Sequence, residues 1–110
     1  KFEEFPLFIR GGKYATYVLT EKDLLTVKKA LVQHEAPILI TYNDEGWWHT
    51  ILIVGYDDEL KGDCYFTPQE ECRGRGAFFV RDSAGIALEA RDYDWFRVNG
   101  NAAFVVRIAN

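Results

Sequence analysis

The chain has 110 residues, of which 48% are hydrophobic and 15% aromatic, a composition that supports one domain with a packed core. The formal net charge of −4 argues against a nucleic-acid partner, because phosphate binding needs clustered Lys and Arg. No apolar run approaches the roughly 20 residues that a membrane-spanning helix needs, so we expect a single domain over residues 1–110 with neither nucleic acid nor a membrane as its partner.

Two segments precede the first helical pattern. Residues 1–12 predict an irregular arm, and its apolar side chains must be buried against this domain or against a partner. Residues 14–19 are rich in β-branched and aromatic side chains and predict a short strand.

The main helical pattern covers residues 21–34. Thr20 opens a sequence that resembles a capping box, and apolar residues then recur at the spacing of one helix face between Leu24 and Leu31. Pro37 prevents the helix from continuing, because it lacks the backbone N–H and its ring clashes with the preceding turn.

Strand patterns dominate the rest of the chain. They cover residues 38–42, 50–56, 77–81 and 102–108. The second of these segments is apolar at nearly every position, which predicts burial on both of its faces. Residues 43–46 predict a turn, and residues 57–76 predict a polar loop that contains glycine. The patterns together predict an α+β domain with a twisted antiparallel sheet or partial barrel and one main helix, about residues 21–34.

Both cysteines, Cys64 and Cys72, lie in the polar loop. An even pair in a small chain suggests a local disulfide and an oxidising compartment, although two thiols eight residues apart could also stay reduced. The chain begins at Lys1 and contains no Met, so we expect a proteolytically processed chain of a longer precursor. An incomplete or tag-cleaved chain would look the same.

Two motifs point to a specific chemistry. His49 stands at the start of an apolar strand that closes on Gly55-Tyr56, and Asp82 ends a later apolar strand in the sequence Asp-Ser-Ala-Gly. This order resembles the C-terminal half of the papain-like cysteine peptidases. In that family the histidine is the catalytic base, and the residue at the position of Asp82, usually Asn, orients it. The helix and strand before His49 and the last strand of the chain also resemble that family.

The resemblance implies a papain-like C-terminal lobe that supplies half of an active site. A free thiol has a pKa near 8.5, and a neighbouring imidazolium lowers that value and later donates a proton to the leaving amine. The family's nucleophilic cysteine belongs to the other half of the fold, and no cysteine precedes His49 here. The resemblance therefore implies a cysteine endopeptidase or exopeptidase that acts on peptides or proteins only when combined with a Cys-bearing N-terminal chain of the same precursor.

The same resemblance implies neither a metal nor a cofactor, and it implies a secreted protein or one of a lysosome-like or vacuole-like compartment. Trp47 and Trp48 are predicted to border the cleft, with Trp48 on the leaving-group side. Cys64 and Cys72 follow His49, contrary to the family's order, and are not expected to act as the nucleophile.

Two alternatives remain open at the level of the sequence. Ala84 stands where the family has a tryptophan, and the segment between Tyr42 and His49 is much shorter than the family's segment. These departures favour a catalytically inactive papain-like pseudoenzyme that acts as an assembly or binding subunit. The other alternative is a small binding module in which the histidine and aspartate are incidental.

Overall fold

The computed structural model describes residues 2–9, 19–44, 47–64, 72, 74–82 and 87–108. The elements, in chain order, are β1 (Phe2–Ile9), α1 (Glu21–His34), β2 (Ile38–Asp44), β3 (Trp47–Asp57), β4 (Ala77–Asp82), β5 (Leu88–Asp92), α2 (Tyr93–Asn99) and β6 (Gly100–Ile108). Within the described residues, neither helix is long and apolar enough to cross a membrane.

The strands form one sheet in the order β1-β6-β2-β3-β4-β5, and every neighbouring pair is antiparallel. Strands β2 to β5 follow one another along the chain, whereas β6 returns to lie between β1 and β2. The predicted α+β class and antiparallel sheet are confirmed.

One hydrophobic core holds the two helices against the sheet. Helix α1 contributes Leu24 and Val27 to it, and α2 contributes Trp95 and Phe96, all of them buried. The strands contribute side chains at alternating positions: Ile38, Ile40, Ile51, Ile53, Phe78, Val80, Ala103 and Val105. Since side chains alternate between the faces of a strand, this spacing places both helices on the same face of the sheet.

Helix α1 has the predicted boundaries, Glu21–His34. The side chain of Thr20 accepts a hydrogen bond from the backbone N–H of Asp23, and the Asp23 side chain accepts one from the backbone N–H of Thr20. The helix ends at His34, and its C-cap, Glu35, adopts the left-handed conformation two residues before Pro37.

The prediction of an irregular arm at residues 1–12 was wrong for residues 2–9, which form β1 and pair with β6. Proline is disfavoured in the central strands of a sheet because it has no N–H to donate, but an edge strand tolerates it. Strand β1 is such an edge, and its register shifts between Pro6 and Phe8. Of the strand predicted at 14–19, all but Leu19 lies outside the described residues; Leu19 is buried and belongs to no strand.

The prediction that β3 is buried on both faces was also wrong. Ile51 and Ile53 are buried, whereas Thr50 and Val54 are exposed. The register between β3 and β4 shifts between Ile53 and Gly55, so that one extra residue changes the alternation. The apolar run is therefore not a strand buried on both faces. It contains a bulge, and the helices cover only one face of the sheet there.

The expectation of a single main helix missed α2, a helix of seven residues. Asp92 caps it, because its side chain accepts a hydrogen bond from the backbone N–H of Asp94. A seven-residue segment is too short for helical periodicity to stand out from the sequence. The predicted turn at 43–46 was wrong for residues 43–44, which belong to β2; residues 45–46 lie outside the described part of the chain.

Candidate functional site

The register of the three central strands brings the two predicted catalytic positions together. Strand β3 lies between β2 and β4, and Asp82, the last residue of β4, pairs with Ile51 of β3. His49 is two residues before Ile51 on the same strand. The backbone of Asp82 is therefore in diagonal relation to that of His49, at the end of the sheet where β3 begins.

The imidazole of His49 is exposed and lies against one aromatic ring. Tyr42 of β2 is the register partner of His49, and the two rings stack with centroids 5.4 Å apart and an interplanar angle of 23°. An exposed imidazole at the start of a strand is accessible for proton exchange.

Aromatic residues of the core lie behind Tyr42. Tyr42 is buried and meets the fully buried Trp95 edge to face, with centroids 4.9 Å apart. The guanidinium carbon of Arg91 lies 4.5 Å from the centre of the Trp95 ring, a cation–π contact. Arg91 also donates a hydrogen bond of 3.3 Å to the carboxylate of Glu89. The surroundings of His49 are thus continuous with the core.

Three of the predicted site residues are described only in their backbones: Trp47, Trp48 and Asp82. Trp47 and Trp48 belong to β3 and pair with Asp44 and Asn43 of β2. They precede His49 in the same strand, and their side chains, like that of Asp82, lie outside the described part of the structure. Their place beside a cleft stays a prediction.

Cys64 and Cys72 form a disulfide, as predicted, and both are used in it. The residue before Cys64, Asp63, bridges to β5 at Arg91, which lies at the level of Tyr56 in β3. His49 and Tyr56 are seven positions apart in that strand, which corresponds to roughly 20 Å. Neither cysteine is placed to serve as the nucleophile for His49.

A polar cluster lies at this far end of β3. Tyr93 donates a hydrogen bond of 2.6 Å to Asp58, and Lys28 donates one of 3.0 Å to the same oxygen. The Lys28 ammonium also lies over the rings of Tyr56 and Tyr93, 5.6 and 5.1 Å from their centres. The two hydrogen bonds, from Tyr93 first and Lys28 second, lower the pKa of Asp58. Burial and the hydrogen bond to Asp58 raise the pKa of Tyr93.

A second carboxyl group, that of Asp92, is buried beneath the disulfide-bearing loop. It accepts hydrogen bonds from the backbone N–H groups of Asp94 and Gly74, at 2.8 and 3.0 Å. Burial raises the pKa of Asp92 despite these bonds. The group caps a helix and fixes a loop, which is a structural role.

An open groove of about 480 Å³ lies between α1 and the end of β3. Leu25, Val32 and Tyr56 are among its apolar walls, and Lys29 and Asp58 also line it. Since it lies at the Tyr56 end of β3, it is not a cleft beside His49. Among the described residues, no group of three or more His, Cys, Asp or Glu is arranged to hold a metal ion.

Sequence reasoning missed Tyr42 as the neighbour of His49, because the predicted turn at residues 43–46 would pair Tyr42 with Trp47. In the structure β2 continues through Asp44, which pairs with Trp47, and the same register pairs Tyr42 with His49. The contacts of Trp95 and Arg91 could not be predicted either, because they depend on how α2 packs beneath the sheet.

No protein-family model, no curated protein and no solved structure matches this chain.

Proposed function

We propose that this chain is the histidine-bearing C-terminal chain of a papain-like cysteine peptidase, active only together with a chain that supplies the nucleophilic cysteine. The observation that carries the proposal is the register of β3 and β4, in which Asp82 pairs with Ile51, two residues from His49. The exposure of His49 supports it further, because a base that serves a thiol of another chain must be accessible.

In the proposed reaction, His49 draws the thiol proton, and the resulting thiolate attacks the carbonyl carbon of the peptide bond. Protonated His49 then gives its proton to the departing amine, and a thioester remains on the cysteine. Water attacks the thioester while His49 removes one of its protons, and the imidazolium then returns that proton to the departing sulfur, which releases the acid and restores the thiol. Asp82 is proposed to accept a hydrogen bond from the other ring nitrogen and so to orient the imidazole.

The partner chain is the first object to identify. Native, non-reduced material is analysed by intact mass spectrometry and then labelled with an iodoacetamide-type probe at pH 6. We expect a co-purifying chain with one cysteine that is alkylated far faster than a free thiol at this pH, because the imidazolium stabilises its thiolate. A partner without a reactive cysteine would contradict the peptidase proposal.

The role of His49 is tested in the reconstituted pair with a mixture of fluorogenic peptide amides. His49→Ala is expected to lower kcat by a factor of about 10² or more, since general acid–base catalysis contributes about 10²–10⁴-fold. His34→Ala is the matched control, because His34 is the only other histidine and is exposed at the end of α1. Equal cleavage by the His49→Ala pair and the unmutated pair would refute the assignment.

The second candidate is a papain-like pseudoenzyme that acts as an assembly or binding subunit. The observations that favour it are Ala84, which stands where the family has a tryptophan, and the short segment between Tyr42 and His49. The two candidates differ at one position of the partner. A reactive cysteine there supports the peptidase, whereas a partner that binds this chain but has no alkylatable cysteine supports the pseudoenzyme.

A further inference from the structure

We propose that Tyr42 is a positioning residue for His49, because its buried ring supports one face of the imidazole and fixes the plane in which the ring nitrogens lie. As a statement about catalysis, this rests on the proposed function. As a statement about the orientation of His49, it stands on the geometry alone.

The first argument is the register. Tyr42 pairs directly with His49, and the neighbouring pairs Thr41–Thr50 and Asn43–Trp48 continue the hairpin without a bulge. Directly opposed residues of antiparallel strands have Cβ atoms about 4.5–5.5 Å apart, close enough for ring contact. The stacked geometry, 5.4 Å and 23°, is therefore enforced by the backbone of two strands.

The second argument is the difference in burial between the two rings. Tyr42 is 5% exposed and contacts Trp95, which is 0% exposed, edge to face. Close packing leaves a buried ring little room to rotate, so Tyr42 is the fixed member of the pair. His49 is exposed and is the member whose orientation the contact restricts.

The third argument is chemical. The nitrogens of an imidazole lie in the ring plane, so a contact on the ring face leaves both edges available for proton exchange. A catalytic base must be held within about 10–20° of its productive orientation, and packing against a rigid neighbour is one way to achieve this. Tyr42 therefore restricts the His49 ring without occupying either nitrogen.

The geometry is tested first by NMR on the whole chain, without reference to activity. We expect nuclear Overhauser effects between the ring protons of Tyr42 and His49. We also expect an upfield displacement of the His49 ring protons relative to those of His34, because of the ring current of the tyrosine. His34→Gln and His49→Gln variants assign the two histidines. Absence of both effects would overturn the proposal before any variant of Tyr42 is made.

The catalytic consequence is tested in the reconstituted pair with Tyr42→Leu and Tyr42→Phe. Tyr42→Leu removes the ring, and we expect kcat to fall about fivefold with KM unchanged, the size of effect that an aromatic pair supports. Tyr42→Phe keeps the stacked ring and is expected to stay within about twofold of the parent in kcat. Ile53→Val, a buried change farther along β3, controls for a loss of packing alone and is expected to leave kcat unchanged.

Relaxation of the His49 ring carbons separates failure of this proposal from failure of the proposed function. If the unmutated pair cleaves peptides but Tyr42→Leu alters neither kcat nor the mobility of the His49 ring, positioning by Tyr42 is wrong. If the unmutated pair is inactive, the peptidase proposal fails, and greater ring mobility of His49 in Tyr42→Leu still supports the positioning role. Should Tyr42→Leu not fold, the nuclear Overhauser effects between the Tyr42 and His49 rings in the parent chain decide whether Tyr42 positions His49.

Discussion

Two glycines in the loop between β3 and β4 adopt a backbone conformation that other residues rarely adopt. Gly74 and Gly76 both have positive φ, +72° and +95°. A Cβ added at Gly76 would lie 2.4 Å from the ring of Tyr93, whereas among the described residues the nearest atom to one at Gly74 belongs to the Lys61 side chain, 3.6 Å away. A side chain at either position would be strained by the positive φ, but only at Gly76 would it also clash with a neighbouring ring.

We therefore expect Gly76→Ala to destabilise the protein more than Gly74→Ala. Gly74→Ala should cost about 1 kcal/mol for a non-glycine residue at positive φ. Gly76→Ala adds a clash with a ring that also contacts Phe78, and should cost about 1–3 kcal/mol more. Urea unfolding of the two variants measures the difference. Equal losses would mean that the Tyr93 ring moves aside at no cost.

The hydrogen bond from Tyr93 to Asp58 gives a prediction on pH dependence. Because the pKa of Asp58 is lowered in the folded state, this group stabilises the fold above its ordinary pKa of 3.8, and the contribution is lost as the pH falls through the lowered value. Tyr93→Phe removes the first cause of the lowering. The pKa of Asp58 should then rise towards 3.8. Lowering the pH should therefore reduce the free energy of unfolding less in the variant than in the parent chain.

An NMR titration of the Asp58 carboxyl carbon, with urea unfolding between pH 2 and pH 6, measures both quantities. Tyr56→Phe is the matched control, because the Tyr56 ring also lies beside Lys28 but is not the donor to Asp58. An unchanged pKa in Tyr93→Phe would show that Lys28 alone is responsible for the shift.

At the scale of elements, the helix with local signals was predicted and the helix without them was not. Helix α1 combines an N-cap, apolar residues on one face and a proline after its end, all of which act within a few residues. Helix α2 depends on the Asp92 cap and on the burial of Trp95 and Phe96 beneath the sheet. Tertiary contacts are what stabilise so short a helix.

The capping box of α1 can be tested directly. Thr20→Ala removes the hydrogen bond to the backbone N–H of Asp23 and is expected to cost about 1 kcal/mol in the free energy of unfolding. Lys22→Ala, an exposed change in the same turn, should stay within about 0.5 kcal/mol of the parent. If the two variants unfold at the same urea concentration, the cap does not contribute as proposed.

At the scale of the whole molecule, the disulfide and the loop that carries it connect the far ends of β3, β4 and β5. The backbone N–H of Asp63 donates to Ala90, that of Asp92 donates to Asp63, and that of Gly76 donates to Leu60. The Cys64–Cys72 bond closes a short loop within this segment. Its main effect, in the chain-entropy account, is to restrict the unfolded state.

Replacing both cysteines by serine is expected to lower the free energy of unfolding by about 2–3 kcal/mol, the value that loop-closure entropy gives for a short loop. Unfolding with and without a reducing agent provides the internal control. The parent chain should lose stability on reduction, and the double variant should not respond. A parent chain that is indifferent to reduction would contradict this role of the disulfide.

Parts of the candidate site that depend on residues close together in the sequence could be predicted. Parts that depend on contacts between distant segments could not. His49 and Asp82 are proposed as partners only because their motifs resemble those of a known family, and the register of β3 and β4 pairs Asp82 with Ile51, two residues from His49. Tyr42 pairs with His49 because β2 continues through Asp44, two positions farther than predicted. The contacts of Trp95 and Arg91 could not be predicted, because they join segments whose relation is set by packing.

Local signals were enough to predict the α+β class, the boundaries of α1 and the presence of four of the strands, because caps, periodicity and proline act over a few residues. Strand pairing in the folded chain is what makes residues 2–9 an edge strand, introduces a bulge in β3 and places β6 between β1 and β2. These features depend on strand pairing and on which face of the sheet the helices cover. Such contacts join residues far apart in the chain, so no local pattern specifies them.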